Sequence, residues 1–248
     1  METVTRQTIM PFVELTCVTT DKFKTGSVSV NLVTQLSAKD AAKSALLPRV
    51  LRRGTAEHPD MNSISRVLDE LYGARVFPVI RKQGENLSVG LYASFIDDDF
   101  LPKGEMVLEK VISLVGEMLL SPATRGGLLI AEYVESEKQQ LIDEIKSARS
   151  DKISYALEQL ISAMCSGEAY GTPKLGTEAA AASITPRSLT KHYRNILASS
   201  KIEIIYCGAA GIERVSQALL DAFSALPRSG DICSPVTEVL TAPRAGKP

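Results

Sequence analysis

The stretch ARVFPVIRKQGENLSVGLYASF, residues 74–95, predicts a β-hairpin whose turn lies around Gln83 to Asn86. Pro78 lies in the first arm and has no N–H to donate to a neighbouring strand, so this arm is expected at a sheet edge or with a bulge. The second arm alternates apolar with other residues, which indicates a strand with one buried face. Its apolar residues are Leu87, Val89, Leu91, Ala93 and Phe95.

The residues before the hairpin predict a strand and a helix. Alternating apolar residues indicate a strand from Val28 to Leu36, and helical spacing of apolar residues follows at positions 46, 47, 50 and 51. Arg52 and Arg53 would lie in the last turn of this helix, where cations suit the helix dipole. Gly54 is the expected C′ residue that ends it.

The remaining pattern predicts an α+β fold, with an antiparallel sheet and helices packed on one side. Residues 1–226 would form the domain, and residues 227–248 are rich in Pro, Gly and Ser, which is typical of a linker or tail. The other predicted elements are a strand at about 202–206 and helices at about 62–73 (beginning near Asn62 or Ser63), 104–120, 128–148, 151–165, 185–197 and 212–223.

The overall composition excludes several classes of function. The chain of 248 residues has 28 Lys and Arg against 29 Asp and Glu, so its net charge of −1 offers no electrostatic footprint for nucleic acid or membrane. The first residues lack the apolar segment of a signal peptide. Cysteines 17, 165, 207 and 233 are far apart, which is typical of reduced thiols, and a cytoplasmic location is expected.

Few residues are available for catalysis. The chain has two histidines, His58 and His192, and neither has a second ligand at metal-binding spacing or an evident nucleophile nearby in sequence. Glu137 and Glu144 lie nearly two turns apart on one predicted helix, so their carboxylates project from the same face. On pattern alone, both are expected to be solvated or paired with lysines such as Lys138.

Four segments, in this order, resemble a known family: LRRGT (51–55), PDMNSISRVLDELYGARV (59–76), ESEKQQLIDEIKSARSDKISYA (135–156) and AYGTPKLGTEAAAASITPRSLTKHYRN (169–195). Over most of residues 10–226, the chain is similar to the N-terminal half of insulinase/pitrilysin-type zinc peptidases, which include the mitochondrial processing peptidase. It most resembles noncatalytic bacterial members that are associated with the aminopentanol modification of elongation factor P. The resemblance implies their metallohydrolase (LuxS/MPP-like) fold.

Active members of this family carry an inverted H-x-x-E-H motif on the helix before the Gly-Thr pair. Its histidines bind zinc and its glutamate is the general base. The resemblance places Ala45, Pro48 and Arg49 at these positions, and none of them can take that role. Glu144 falls at the position of the third zinc ligand, with Glu137 as the accompanying glutamate. We expect no catalytic residue and no bound metal here, and we hypothesise that Arg49 lies near Glu144 and neutralises it.

Pro48 also affects the predicted helix itself. A proline inside a helix lacks an N–H and clashes with the preceding turn, so Pro48 should kink or break the helix if that helix starts well upstream. Alternatively, the helix starts near Leu47 and Pro48 lies in its first turn.

The resemblance implies a catalytically inactive homologue that acts as a substrate-binding or assembly subunit beside an active homologous peptidase, which supplies the zinc. Two alternatives stay open: an active zinc metallopeptidase with a non-standard site that uses His58 or His192, and a purely structural scaffold subunit. Family members contain two related halves, and residues 227–248 would lead toward the second. The chain is therefore expected to expose an apolar face or to self-associate. Its partners would be the catalytic subunit or that half, and a peptide substrate, with no cofactor in this chain.

Overall fold

The computed structural model of the protein describes residues 2–228 and 232–236. The strands are β1 (Thr3–Met10), β2 (Val13–Thr19), β3 (Thr25–Gln35), β4 (Arg75–Gln83), β5 (Asn86–Ile96), β6 (Thr124–Arg125), β7 (Leu128–Leu129) and β8 (Lys201–Gly208). The helices are α1 (Ala41–Leu51), α2 (Met61–Glu70), α3 (Val107–Leu120), α4 (Ala131–Ser147), α5 (Lys152–Met164), α6 (Glu178–Ala182), α7 (Pro186–Ser199) and α8 (Ile212–Phe223). None of these helices is long and apolar enough to cross a membrane.

Six strands form one sheet in the order β1-β2-β8-β3-β5-β4. Neighbouring strands are antiparallel except β2 and β8, which run parallel with Val13 opposite Ile202. The predicted α+β class is confirmed, although the sheet is largely rather than wholly antiparallel. The parallel pair arises because β2 and β3 run in opposite directions, so a strand inserted between them must be parallel to one.

The hairpin predicted from residues 74–95 is formed by β4 and β5. Gly84 lies in its turn with a φ of 54°, a left-handed conformation that glycine adopts without strain. Pairing from Arg75 to Gln83 is continuous, with Pro78 opposite Leu91, so β4 carries no bulge. The alternative prediction is confirmed, since β4 is an edge strand of the sheet.

The core lies between the helices and one face of the sheet. Val30 and Leu91 of the central strands are buried, and α1, α3, α7 and α8 all contact the sheet. The other face of β3 carries small polar side chains, of which Asn31 donates from Nδ2 to the carbonyl oxygen of Glu203 at 3.2 Å. Helix α1 therefore lies on the apolar face of the sheet, where it contacts β4 and β5.

Some element boundaries differ from the prediction for local reasons. Helix α2 begins at Met61, slightly earlier than predicted, because Oδ1 of Asp60 accepts the N–H of Ser63 at 2.8 Å and caps the helix. Helix α4 begins at Ala131 rather than at residue 128, because β7 precedes it and pairs with β6. Strands β1 and β2 were not predicted at all.

The predicted linker or tail lies largely outside the described residues, which omit 229–231 and 237–248. The described segment 232–236 runs across the end of the sheet. In this segment, the N–H of Cys233 donates to the carbonyl oxygen of Ser199 at 2.7 Å, and the N–H of Val236 donates to Oδ1 of Asn86 at 2.8 Å. The domain boundary near residue 226 stays a prediction.

Candidate functional site

Helix α1 carries the three positions that correspond to the zinc motif, and it runs without a break from Ala41 to Leu51. The predicted alternative start near Leu47 is therefore wrong, and Pro48 lies well inside the helix. Pro48 leaves the carbonyl group of Ser44 without its usual helical donor. The helix nevertheless continues because nine of its eleven residues are buried, so packing against the core holds it across the proline.

Two arginines, one in α1 and one just after its end, form ion pairs with the two glutamates predicted to share a face of α4. Nη2 of Arg49 donates to Oε2 of Glu144 at 2.7 Å, so the predicted proximity of these two residues is confirmed. Nη1 of Arg53 donates to Oε1 of Glu137 at 3.3 Å. Two separate contacts therefore join α1 and the loop after it to α4, where the resemblance places the zinc motif.

The burial of these pairs differs from the pattern-based expectation of solvated or lysine-paired glutamates. The side chain of Glu137 is 11% exposed and that of Arg49 is 16% exposed, whereas Glu144 is 49% exposed. Lys138 pairs with Glu135 instead. The expected solvation holds for Glu144 but was wrong for Glu137, and the partners are arginines rather than lysines, because α1 and the loop after it pack against this face of α4.

The zinc chemistry implied by the family resemblance does not fit these residues. Ala45 is fully buried and has no ligand atom, and Pro48 has no carboxylate. The guanidinium group of Arg49 brings a fixed positive charge to the position of a second ligand. Glu144 alone has a ligand-type side chain, and its Oε2 accepts from Arg49. A catalytic zinc ion needs about three protein ligands, which this arrangement cannot provide.

Glycine is needed at position 54, just after α1, but for a different reason from the predicted one. It is not among the glycines of positive φ, so it is not a left-handed C′ residue, and Arg52 forms the C-cap. A Cβ atom at Gly54 would lie 2.3 Å from the carbonyl oxygen of Pro59. Glycine is required because the loop after α1 folds back onto this position.

A polar cluster that sequence reasoning missed lies at the other end of α1. Oγ of Ser44 lies 2.9 Å from Nε2 of His192, which is 148 residues away in sequence. Nδ1 of His192 lies 3.9 Å from Oδ1 of Asp40. Burial lowers the pKa of His192 to about 4, although the Asp40 carboxylate opposes this effect. A serine within the buried stripe of α1 was the one local signal that a polar partner exists.

This cluster does not have the geometry of a catalytic triad. Ser44 is 2% exposed, so substrate cannot reach its hydroxyl group. The distance between His192 and Asp40 exceeds that of a hydrogen bond, and Oδ1 of Asp40 accepts from Lys43 at 2.5 Å. His192 therefore serves as the hydrogen-bond partner of the buried Ser44 hydroxyl group. The second histidine, His58, lies in the loop after α1 and away from this cluster.

Fold and site together define a class of protein. Helix α1, without ligands at the positions that the resemblance assigns to the zinc motif, lies against the six-stranded sheet and packs against α4, which carries Glu144. This chain has the fold of peptidase domains of the M16 type, and it is similar over most of its length to a probable inactive metalloprotease.

The particular relatives agree with this class, although the chain matches no protein-family model. The chain is 31% identical over 202 residues to the probable inactive metalloprotease YmfF of Bacillus subtilis (strain 168), covering 82% of this chain and 47% of that protein. A conserved protein from Enterococcus faecalis V583 superposes with a TM-score of 0.85 at 25% identity, over 93% of this chain and 54% of that chain. The peptidase M16 inactive domain from Pseudomonas fluorescens shares the fold, with a TM-score of 0.70 at 13% identity over 97% of this chain and 54% of that chain. The chain thus spans about half the length of these relatives.

Proposed function

We propose that this chain is a noncatalytic peptidase-like subunit that provides binding surface beside a homologous, zinc-bearing peptidase. The ion pair between Arg49 and Glu144 carries the proposal, together with Ala45 and Pro48 at the other motif positions. A hydrolytic zinc ion needs several ligands and a base for its water, whereas these residues offer one carboxylate that is already neutralised. Similarity to a probable inactive metalloprotease supports the same conclusion.

The proposal assigns the catalytic zinc ion to the partner and no zinc to the motif positions of this chain. It also includes a cytoplasmic location. The four cysteines support this location because all are free thiols, as expected in a reducing compartment: Cys17, Cys165, Cys207 and Cys233.

The proposed partner is a homologous catalytic subunit or the second half of a longer chain. The expected apolar face is found on α5, where Ile153, Leu157, Leu160 and Met164 are 84%, 57%, 54% and 74% exposed. Their spacing places all four on one side of the helix. A contiguous apolar stripe of this kind is typical of a contact surface, and the double length of the relatives supports a homologous occupant.

A peptide substrate is proposed to bind along the edge strand β4. This strand pairs with β5 on one side, and its other side can accept an added strand. Pro78 removes one donor, so pairing would use the residues on either side of it. Beside β4 lies a groove of about 350 Å³, which offers apolar contacts for substrate side chains. Its lining includes Ile64, Leu68, Val76 and Phe77.

The test combines co-purification with a hydrolysis assay. We expect the chain to co-purify with a co-expressed homologous peptidase from the same organism, and to hydrolyse no quenched fluorogenic peptide alone. Serine substitutions of Ile153 and Leu157 should weaken co-purification, whereas Gln159→Ser on the opposite side of α5 should not. Hydrolysis by the chain alone that a chelator abolishes would contradict the proposal.

A binding measurement distinguishes the proposed peptide-binding role from that of a structural scaffold that makes no contact with peptide. We expect a fluorescently labelled, unstructured peptide to bind the complex more tightly than the partner alone, and Phe77→Ser in the groove to reduce this gain. Equal peptide affinity with and without this chain would assign it to the scaffold class instead.

A further inference from the structure

Three ligand-type side chains converge in a region separate from the zinc-motif positions. Glu57 and His58 lie in the loop after α1, and Glu117 lies near the end of α3, 60 residues from Glu57. One ligand atom from each residue lies within 4.8 Å of the other two. Nε2 of His58 is 3.9 Å from Oε2 of Glu117, which is too far for a hydrogen bond. These atoms therefore surround a small space rather than bonding to one another.

The cluster is held in place by hydrogen bonds that use Oε1 of Glu117 and the backbone N–H groups of Glu57 and His58. Oγ1 of the fully buried Thr55 donates to Oε1 of Glu117 and accepts the N–H of His58 at 2.8 Å. The N–H of Glu57 also donates to Oε1 of Glu117, at 3.1 Å. Because Oε1 is held in this way, Oε2 is directed toward the His58 ring. Such supporting contacts orient the ligands in metal sites.

The electrostatics of this region favour a cation. Glu117 lies in the last turn of α3, where the helix dipole contributes partial negative charge. Within residues 2–228 and 232–236, neither the Glu57 nor the Glu117 carboxylate forms an ion pair with a lysine or an arginine. Glu137 and Glu144 of α4 differ in this respect, since each has an arginine partner.

We propose that Glu57, His58 and Glu117 form a binding site for a divalent transition-metal ion of the Zn²⁺ class. An imidazole nitrogen with two carboxylates suits such ions, whereas Ca²⁺ and Mg²⁺ prefer oxygen ligands alone. Bonds to zinc of about 2.0–2.2 Å are reached by small rotations, which the exposed Glu57 side chain permits. The bound ion fastens the loop after α1 to the end of α3. The proposed site departs from the expectation, drawn from the sequence, that the chain binds no metal.

The test is a Zn²⁺ titration of the full chain without an affinity tag, followed by calorimetry and by the absorption spectrum of bound Co²⁺. We expect one ion per chain, with much weaker binding of Mg²⁺. His58→Asn and Glu57→Gln should each reduce the affinity for Zn²⁺ by at least about tenfold. Acidification should also weaken the binding of Zn²⁺ to the wild-type chain, because an imidazole group must be deprotonated to ligate a metal ion.

Glu135→Gln is the matched control, since Glu135 is an exposed glutamate of α4 outside the cluster, and this variant should keep wild-type affinity. Glu57→Gln changes an exposed side chain and should fold even if variants of the partly buried Glu117 do not. A wild-type chain that takes up no Zn²⁺, or a His58→Asn variant with unchanged affinity and stoichiometry, overturns the proposal.

The metal-binding experiment tests this site independently of the proposed function, because the site does not depend on that function. Zinc binding that His58→Asn removes, without peptide hydrolysis by either protein, supports both proposals. Absence of zinc overturns the cation site and leaves the noncatalytic role standing. Zinc that persists in His58→Asn but is lost in Glu144→Ala would place the ion at the motif positions and contradict both.

Discussion

The guanidinium group of Arg49 lies against the carboxylate of Glu144, with Nη2 and Oε2 separated by 2.7 Å across the interface of α1 and α4. The Arg49 side chain is 16% exposed, so its charge is partly removed from water and depends on this partner. The pair occupies the place where the family resemblance puts a zinc ion between these helices. In this chain, the positive charge that faces Glu144 at this place is therefore the guanidinium group of Arg49.

We predict that Arg49→Met destabilises the fold by about 1–2 kcal/mol, because it leaves Glu144 without its cation and changes the contact between α1 and α4. Glu144→Gln should cost less, since that side chain is half exposed. A double-mutant cycle by urea unfolding should give a coupling of about 1 kcal/mol. The control is the exposed pair of Arg125 and Glu132, and a coupling no larger than theirs would contradict the prediction.

Stability should decrease with acidification because of His192. Burial lowers its pKa to about 4 in the folded chain, whereas an unfolded histidine titrates near 6.5. Between these pH values the unfolded state binds the extra proton, so folding stability falls as pH decreases from above 6.5 toward 4, by up to about 3 kcal/mol.

Urea unfolding at several pH values between 4.5 and 7.5 tests this dependence. His192→Asn should flatten the pH dependence, whereas His58→Asn, which changes the other histidine, should retain it. An unchanged slope in His192→Asn would show that another group is responsible.

The exposed stripe of α5 should contribute to association rather than to folding. Replacing Ile153 and Leu157 by serine should change the free energy of unfolding by no more than about 0.5 kcal/mol and should reduce self-association in sedimentation velocity. Leu108→Ser in α3 is the buried counterpart and should cost roughly 2–5 kcal/mol. A wild-type chain that stays monomeric at high concentration, and binds its partner equally well after the substitutions, would contradict this role.

Gly54→Ala should destabilise the loop after α1. The added Cβ would lie 2.3 Å from the carbonyl oxygen of Pro59, so the backbone must move, at a cost of about 1–3 kcal/mol in thermal or urea unfolding. Gly211→Ala is the matched control, because its Cβ would meet only the flexible end of Glu213 at 3.4 Å. Equal effects of the two substitutions would show that the close approach of the loop is unimportant.

Local patterns predicted those elements whose cause is local. The hairpin of β4 and β5 follows from alternation and a turn glycine, and α7 follows from the cap formed by Thr185 before Pro186. Strands β1 and β2 escaped prediction because β1 is largely polar, and both strands depend on pairing partners. Strand β2 in particular pairs with β8, which comes from the opposite end of the chain.

In the candidate sites, the contacts that local patterns did not predict likewise join residues that are distant in sequence. His192 meets Ser44 across 148 residues, and Glu117 meets Glu57 across 60 residues, with no periodic pattern that links the members of either pair. Gly54 was recognised as a position that requires glycine, but the reason is the approach of Pro59, which no helix-end rule contains. Such contacts depend on how helices pack, and helical or strand periodicity describes only one element at a time.

The sequence by itself determined that Ala45, Pro48 and Arg49 cannot provide the zinc ligands and the base, because in any surroundings none of these side chains has an imidazole or a carboxylate group. Only the tertiary structure decided that the charge of Arg49 meets Glu144, 95 residues away, rather than water. The physical reason is that the packing of α1 on α4 sets the distance between the two charges and removes Arg49 from solvent, and both determine how strongly the charges interact.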